Sequence, residues 1–405
     1  MAEHGDDDGM SDAALQPYRG IRVLDLAQGL AGPYAAGMLA AMGADVIKVE
    51  PPEGDWGRLM GEARGGHSTM AAPANWGKRA ICLDARSDEG RGVLHRLAGS
   101  ADLVVESFRP GVMARLGLDY PRLAALRPGV ILASISGYGQ DGPYAKRPGS
   151  DTILQGASGM AAMNRGADGA PRRVGMLAVD MVTGLYAGYA MGAALFEQRA
   201  SGAGRHLEIS LLEAAAAFQM TALLQNLMRD GQAGTPTTAP SGFFPTRTGM
   251  MALTCLRNTM FEKLCDAVGR PEWAADPRFA DNRDRIAHAE TLHAELAAVL
   301  AEGDRADWIE RFNAAGVLCG PVNEYADLVD DPQARHLGLF TEVEAPGLGP
   351  LPLVGLPGAG LTPDRLRPDP DLGGHTREIL SEAGYTAAEV STLIRAGTCL
   401  ERPTY

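Results

Sequence analysis

This sequence lacks several signatures that would place it at once. Lysine and arginine total 37 against 50 acidic residues, a net charge of −13, and no stretch gathers basic residues densely. That balance excludes a chain-wide electrostatic footprint for nucleic acid or anionic membrane, and neither is expected as a partner. The five cysteines (Cys82, Cys255, Cys265, Cys319 and Cys399) are odd in number and form no CxxC pair. They fit reduced thiols in a cytoplasm, without a disulfide framework or structural zinc. His67 and His375 have no metal-ligand spacing, so no metal is expected. The loop after the first apolar strand, AQGLAG, is not a GxGxxG turn, which argues against a nicotinamide-dependent dehydrogenase.

What is present is an ordinary globular balance, 45% hydrophobic and 21% charged over 405 residues, enough for two domains. Residues 1–17 are acidic, contain glycine and lack the basic-then-apolar order of a leader, so a disordered tail is expected there. RVLDLAQGLAGPYAAGMLAAMGADVIKVE reads as strand, small-residue helix and strand. KRAICLDARSDEGRGVLHRLAGSADLVVESF repeats the pattern, and RPGVILASISGYG adds a strand ending at a glycine-rich loop. The expectation is a Rossmann-like α/β domain with parallel strands. Long helices are expected over 176–229, then a Gly/Pro/Thr-rich crossing, DGQAGTPTTAPSGFFPTRTG, into a smaller α+β domain. The expected boundaries are 18–229 for the first part of the large domain, 230–325 for the small domain and its linker, and 326–405 for a return to the large domain.

One segment, RRVGMLAVDMVTGLYAGYAMGAALFEQR, is apolar enough to suggest a membrane span, but Asp180 interrupts it and a buried core helix is the better reading. A lone carboxylate in such surroundings needs compensation or a use. The plain use is an N-cap, worth about 1 kcal/mol.

AQGLAGPYAAG, NWGKRAICLD, VVESFRPGVMARLGLDY, SGYGQDGPYAKRPGSD, VDMVTGLYA and GVLCGPVNEYADLVDDPQ, in that order, resemble the class III coenzyme A transferases. This is the family of formyl-CoA transferase, carnitine CoA-transferase and α-methylacyl-CoA racemase. The resemblance implies an acyl-CoA:carboxylate CoA-transferase with CoA thioester and free acid as substrates and no permanently bound cofactor. It also implies a large domain built from both chain ends and an interlocked homodimer. Asp180 is implied to attack the thioester and form a mixed anhydride, with backbone N–H groups at its helix start favouring the charged form, and Gln28 to hold the oxyanion. Lys78, Phe108 and Arg115 are implied CoA contacts, with Arg109 and Arg79 as helpers. At PGSD the racemase has a histidine before the aspartate. Here Ser150 precedes Asp151, and serine cannot shuttle an α-proton, so racemase or epimerase activity is the disfavoured alternative. Asp151 is expected to orient its neighbours or to cap the helix beginning TILQ. Formyl-type features are absent, and Arg147, Arg172, Arg173 and Arg247 flank the implied site. A C4–C5 dicarboxylate is therefore the expected acid.

Overall fold

The computed structural model describes residues 15–166, 168–229, 237–345, 347–359 and 368–401; residues 1–14 of the expected acidic tail lie outside them. The chain forms two compact units, residues 1–220 with 338–405, and residues 221–337.

The first unit is built on a seven-stranded sheet. Its strands are β1 (Arg22–Asp25), β2 (Asp45–Glu50), β3 (Arg79–Leu83), β4 (Leu103–Glu106), β5 (Ile131–Ser136), β6 (Arg205–Ser210) and β7 (Cys399–Leu400). Across the sheet the order is β7-β3-β2-β1-β4-β5-β6, with β1 to β6 parallel and β7 antiparallel at one edge. β4 and β5 are buried throughout, as strands covered on both faces must be. The chain reverses its direction of growth between β1 and β4, so their C-terminal ends diverge and leave a crevice.

α1 (Ala31–Ala41) follows β1, α2 (Asp88–Ser100) links β3 to β4, and α3 (Asp151–Ala157), α4 (Ala178–Ser201) and α5 (Leu211–Phe218) come after β5. α4 is long and apolar enough to cross a membrane, yet Val179, Ala187, Met191 and Leu195 sit in the same core as Ala35 and Leu39 of α1. Small residues explain the closeness. A Cβ on Gly184 would lie 2.8 Å from Tyr34 Cδ1 and 3.0 Å from the Ala31 carbonyl oxygen. Gly184 and Gly188 of the GLYAGYAMGAA run are thus the face set against α1.

The expected long helices over 176–229 are interrupted by β6. RHLEIS is short, carries three charged or titratable residues and is half exposed at the sheet edge, so its alternation is weak. The second unit holds an antiparallel sheet of Ser241–Thr246, Gly249–Thr254 and Leu318–Pro321, packed with helices Asn258–Ala267, Ala289–Leu300 and Arg305–Ala315 around Phe244, Phe261, Leu296 and Phe312. SGFFPT, expected to be part of the crossing, is therefore a strand. Its Pro245 stands in an edge strand, where a missing N–H is tolerated.

Candidate active site

The loop after β1 is fixed peptide by peptide. Asp25 Oδ1 accepts from Ala27 N at 3.0 Å, the Lys48 ammonium donates to the Ala27 carbonyl, and Asp55 Oδ1 accepts from Gly29 N at 2.9 Å. Ser107, just after β4, accepts from Gln28 N at 2.9 Å and donates to the Gln28 carbonyl at 3.2 Å. Gly29 has φ +82, and a Cβ there would stand 2.2 Å from the Trp56 ring. Only glycine combines that conformation with that contact. The loop therefore presents the Gln28 side chain in one place.

Beneath it lies a buried ion network. Lys48 donates to Asp55 at 2.7 Å, Lys78 donates to Asp25 at 2.7 Å, and Arg58 forks onto Glu50 with both bonds at 2.7 Å. Each charge has an opposite partner, which is the condition for charges to survive burial. His67 adds a link to the returning chain, with Nδ1 2.9 Å from Asp369 and Nε2 2.8 Å from Asp371.

Above the loop, at the C-terminal ends of β1, β4 and β5, is a cavity of about 280 Å³. Gln28, Phe108, Arg109, Arg147, Ser150 and Asp180 are among the residues that line it, so segments from residue 28 to residue 180 converge there. Its basic residues are Arg109 and Arg147, the latter stacked 3.7 Å over the Tyr144 ring, and among the described residues its only carboxylate is Asp180. A second cavity of about 560 Å³ shares Leu30, Trp56, Ser150 and Asp180 with the first. Its remaining wall includes Met60, Met70, Pro73, Leu177 and Met181 together with Asp151, and among the described residues it carries no cation. Asp180 thus stands where a basic cavity meets an apolar one.

Asp180 is the third residue of α4, whose N-cap position is Leu177, so it is not the cap. No hydrogen bond reaches its carboxylate among the described residues. Burial, and secondarily the Asp151 charge, raise its pKa to about 7. The expectation that the helix start favours its charged form is therefore corrected. The N–H groups of Val179 and Asp180 donate to Asp151 Oδ2, at 2.8 and 3.1 Å. Asp151 begins α3 but caps α4.

Other expected contacts are also moved. All three donors of Lys78 are used within the core, by Asp25, the Pro33 carbonyl at 2.7 Å and Asn75 at 2.9 Å, and burial lowers its pKa to about 8. A phosphate cannot reach it. Arg79 lies at the opposite end of the sheet, the start of β3, bound to Asp45, Glu378 and Glu382. Arg115 is exposed beside Arg91 and Arg122 in a shallow depression outside both cavities. Arg247 belongs to the second unit and forks onto Asp304, while Arg172 and Arg173 are exposed and bond Asp168 and Thr152. Sequence reasoning missed Lys48, Asp55 and Ser107, which hold the glutamine loop. KVEPPEGD offered a signal, because a lysine inside an apolar strand must meet a carboxylate.

The family model for CoA-transferase family III matches residues 18–376. The chain belongs to that family. It is 37% identical over 382 residues to a succinate–glutarate CoA-transferase of Agrobacterium fabrum, covering 90% of this chain and 95% of the relative. It is 36% identical to an acetyl-CoA:oxalate CoA-transferase of Acetobacter aceti, covering 79% of this chain and 85% of the relative. A crystal structure of a CaiB/BaiF family protein from Brucella suis superposes with a TM-score of 0.81 at 32% identity, over 92% of this chain and 100% of the other. The protein is accordingly an enzyme of the transferase class that handles CoA thioesters and organic acids.

Proposed function

We propose that this transferase moves CoA between carboxylic acids through a mixed anhydride on Asp180, and that the acids include a C4–C5 dicarboxylate. The observation that carries the reading is Asp180 at the junction of the two cavities, facing the same space as Gln28. A carboxylate oxygen of Asp180 adds to the thioester carbonyl, the Gln28 amide donates to the oxyanion, and CoA leaves as thiolate. The acceptor carboxylate then attacks the aspartyl carbonyl and expels the first acid with one Asp180 oxygen. The thiolate attacks the acceptor's carbonyl, giving the new thioester and restoring the Asp180 carboxylate. Phe108 and Arg109 hold CoA at the strand ends, and Ser150 supplies no base for racemisation. The active protein is an interlocked homodimer.

Two observations support the dicarboxylate. Arg147 is an exposed cation on the wall of the cavity that Asp180 also lines, suited to a second carboxylate, and the relatives described above are named for succinate, glutarate and oxalate. The apolar cavity favours a second reading, a longer monocarboxylic acid housed among Met60, Met70 and Met181. A series of donors decides between them. The first reading expects kcat/KM for succinyl- or glutaryl-CoA to exceed that for butyryl- or hexanoyl-CoA, and Arg147→Ala to reduce it about tenfold to a hundredfold for the dicarboxylyl donors alone. Preference for hexanoyl-CoA, indifferent to Arg147→Ala, would establish the second.

A further inference from the structure

We propose that Asp151 is a positioning residue that takes the anion seat at the start of α4, locking the nucleophile's backbone and keeping the Asp180 carboxylate away from the helix N–H groups. Asp151 is 3% exposed and touches no lysine or arginine among the described residues. Its Oδ2 accepts from Val179 N and from Asp180 N, the nucleophile's own amide. Its Oδ1 accepts from Gln155 Nε2 at 2.7 Å. Gln155 is fully buried and accepts from Val174 N at 2.8 Å, so the Asp151–Gln155 pair grips the chain from Val174 to Asp180. The N-terminus of a helix is where an anion is best stabilised. With that place filled, Asp180 has burial and a neighbouring like charge, both of which favour its neutral form. Arg109 and Arg147 line the first cavity with it, and among the described residues Asp151 is the only other charged group on the walls of either cavity. A carboxylate kept basic in this way is the stronger nucleophile toward a thioester once ionised. The kinetic part of this inference rests on Asp180 being the nucleophile. The titration part does not.

The test is Asp151→Asn in the full-length protein, which keeps an oxygen for the α4 N–H groups and removes the charge. Carbon-13 NMR of protein labelled at the aspartate carboxyls, with Asp180 assigned by its loss in Asp180→Asn, reads the titration directly. The Asp180 pKa is expected to fall by about one unit. The acid limb of kcat/KM should move down in pH by the same amount, and kcat on the alkaline plateau should drop about fivefold or more. Asp151→Glu should restore the wild-type limb. If Asp151→Asn does not fold, Asp151→Ser, with a shorter neutral acceptor, carries the same expectation. An Asp180 titration unchanged in either folded variant overturns the proposal. A shifted titration with Asp180→Asn still active would leave it standing and refute the anhydride reading instead.

Discussion

At the scale of single residues, the surroundings of Asp180 make a prediction about stability as well as rate. Asp180 titrates near 7 in the folded chain against about 3.9 when unfolded, so the folded state resists ionising it. Below about pH 4 the group is neutral in both states and costs nothing. Between about pH 4 and 7 the unfolded chain ionises first and the fold loses stability, and above 7 the loss is constant. With solvent reaching the cavity wall, the loss is about 1–2 kcal/mol. Asp180→Asn should therefore raise the melting temperature at pH 8 but not at pH 4, while reducing kcat by several orders of magnitude, as scanning calorimetry and steady-state assays would show. A melting temperature unchanged at pH 8 would contradict the buried-carboxylate account. That Asp180 and Gln28 come together at one cavity was legible because each is a polar residue among apolar or small neighbours and each fits a family motif. Lys78 and Arg79 were misread because a basic residue in GKR after a loop looks the same whether it meets a phosphate or a carboxylate. Asp25 and Asp45, which capture them, lie more than thirty residues away.

At the scale of elements, the glutamine loop is where stability and catalysis separate. Gly29→Ala places a methyl against the Trp56 ring at a positive φ, which costs about 2–4 kcal/mol between strain and overpacking. Asp55→Asn keeps an oxygen for the Gly29 amide but sets an NH2 against buried Lys48 and removes its charge partner, a loss of about 3–5 kcal/mol. Denaturant unfolding measures both. In protein that remains folded, each should lower kcat more than it raises KM if Gln28 serves the oxyanion as proposed. A pure KM effect would assign the loop to binding alone. The strands around this loop were readable from their apolar runs, and β2 (Asp45–Glu50) is the strand expected at the end of the first segment, ADVIKVE. β6 and Ser241–Thr246 were not readable. One is a charged, half-exposed edge and the other carries a proline, and pairing with neighbours, which a single segment does not display, makes them strands.

At the scale of the whole molecule, the family resemblance carried more than the residue patterns could. Patterning indicated a parallel α/β sheet, but the order β3-β2-β1-β4-β5-β6 and the crevice it opens depend on contacts between residues 25 and 105, beyond any local window. Association is the proposal at this scale. Interlocked chains cannot part without unfolding, so sedimentation on dilution should show dimer down to the lowest measurable concentration, with dissociation coinciding with unfolding. A folded monomer would remove the interlocked arrangement. The central claim, covalent transfer through Asp180, has one direct measurement: turnover with acceptor acid labelled with oxygen-18 in its carboxylate, followed by mass spectrometry of the peptide containing Asp180. Each cycle through the anhydride replaces an Asp180 oxygen with one from the acceptor, so the peptide should gain one label in the first turnover and reach at most two as turnover continues, and Asp180→Asn should gain none. New acyl-CoA formed with Asp180 left unlabelled would contradict the mechanism.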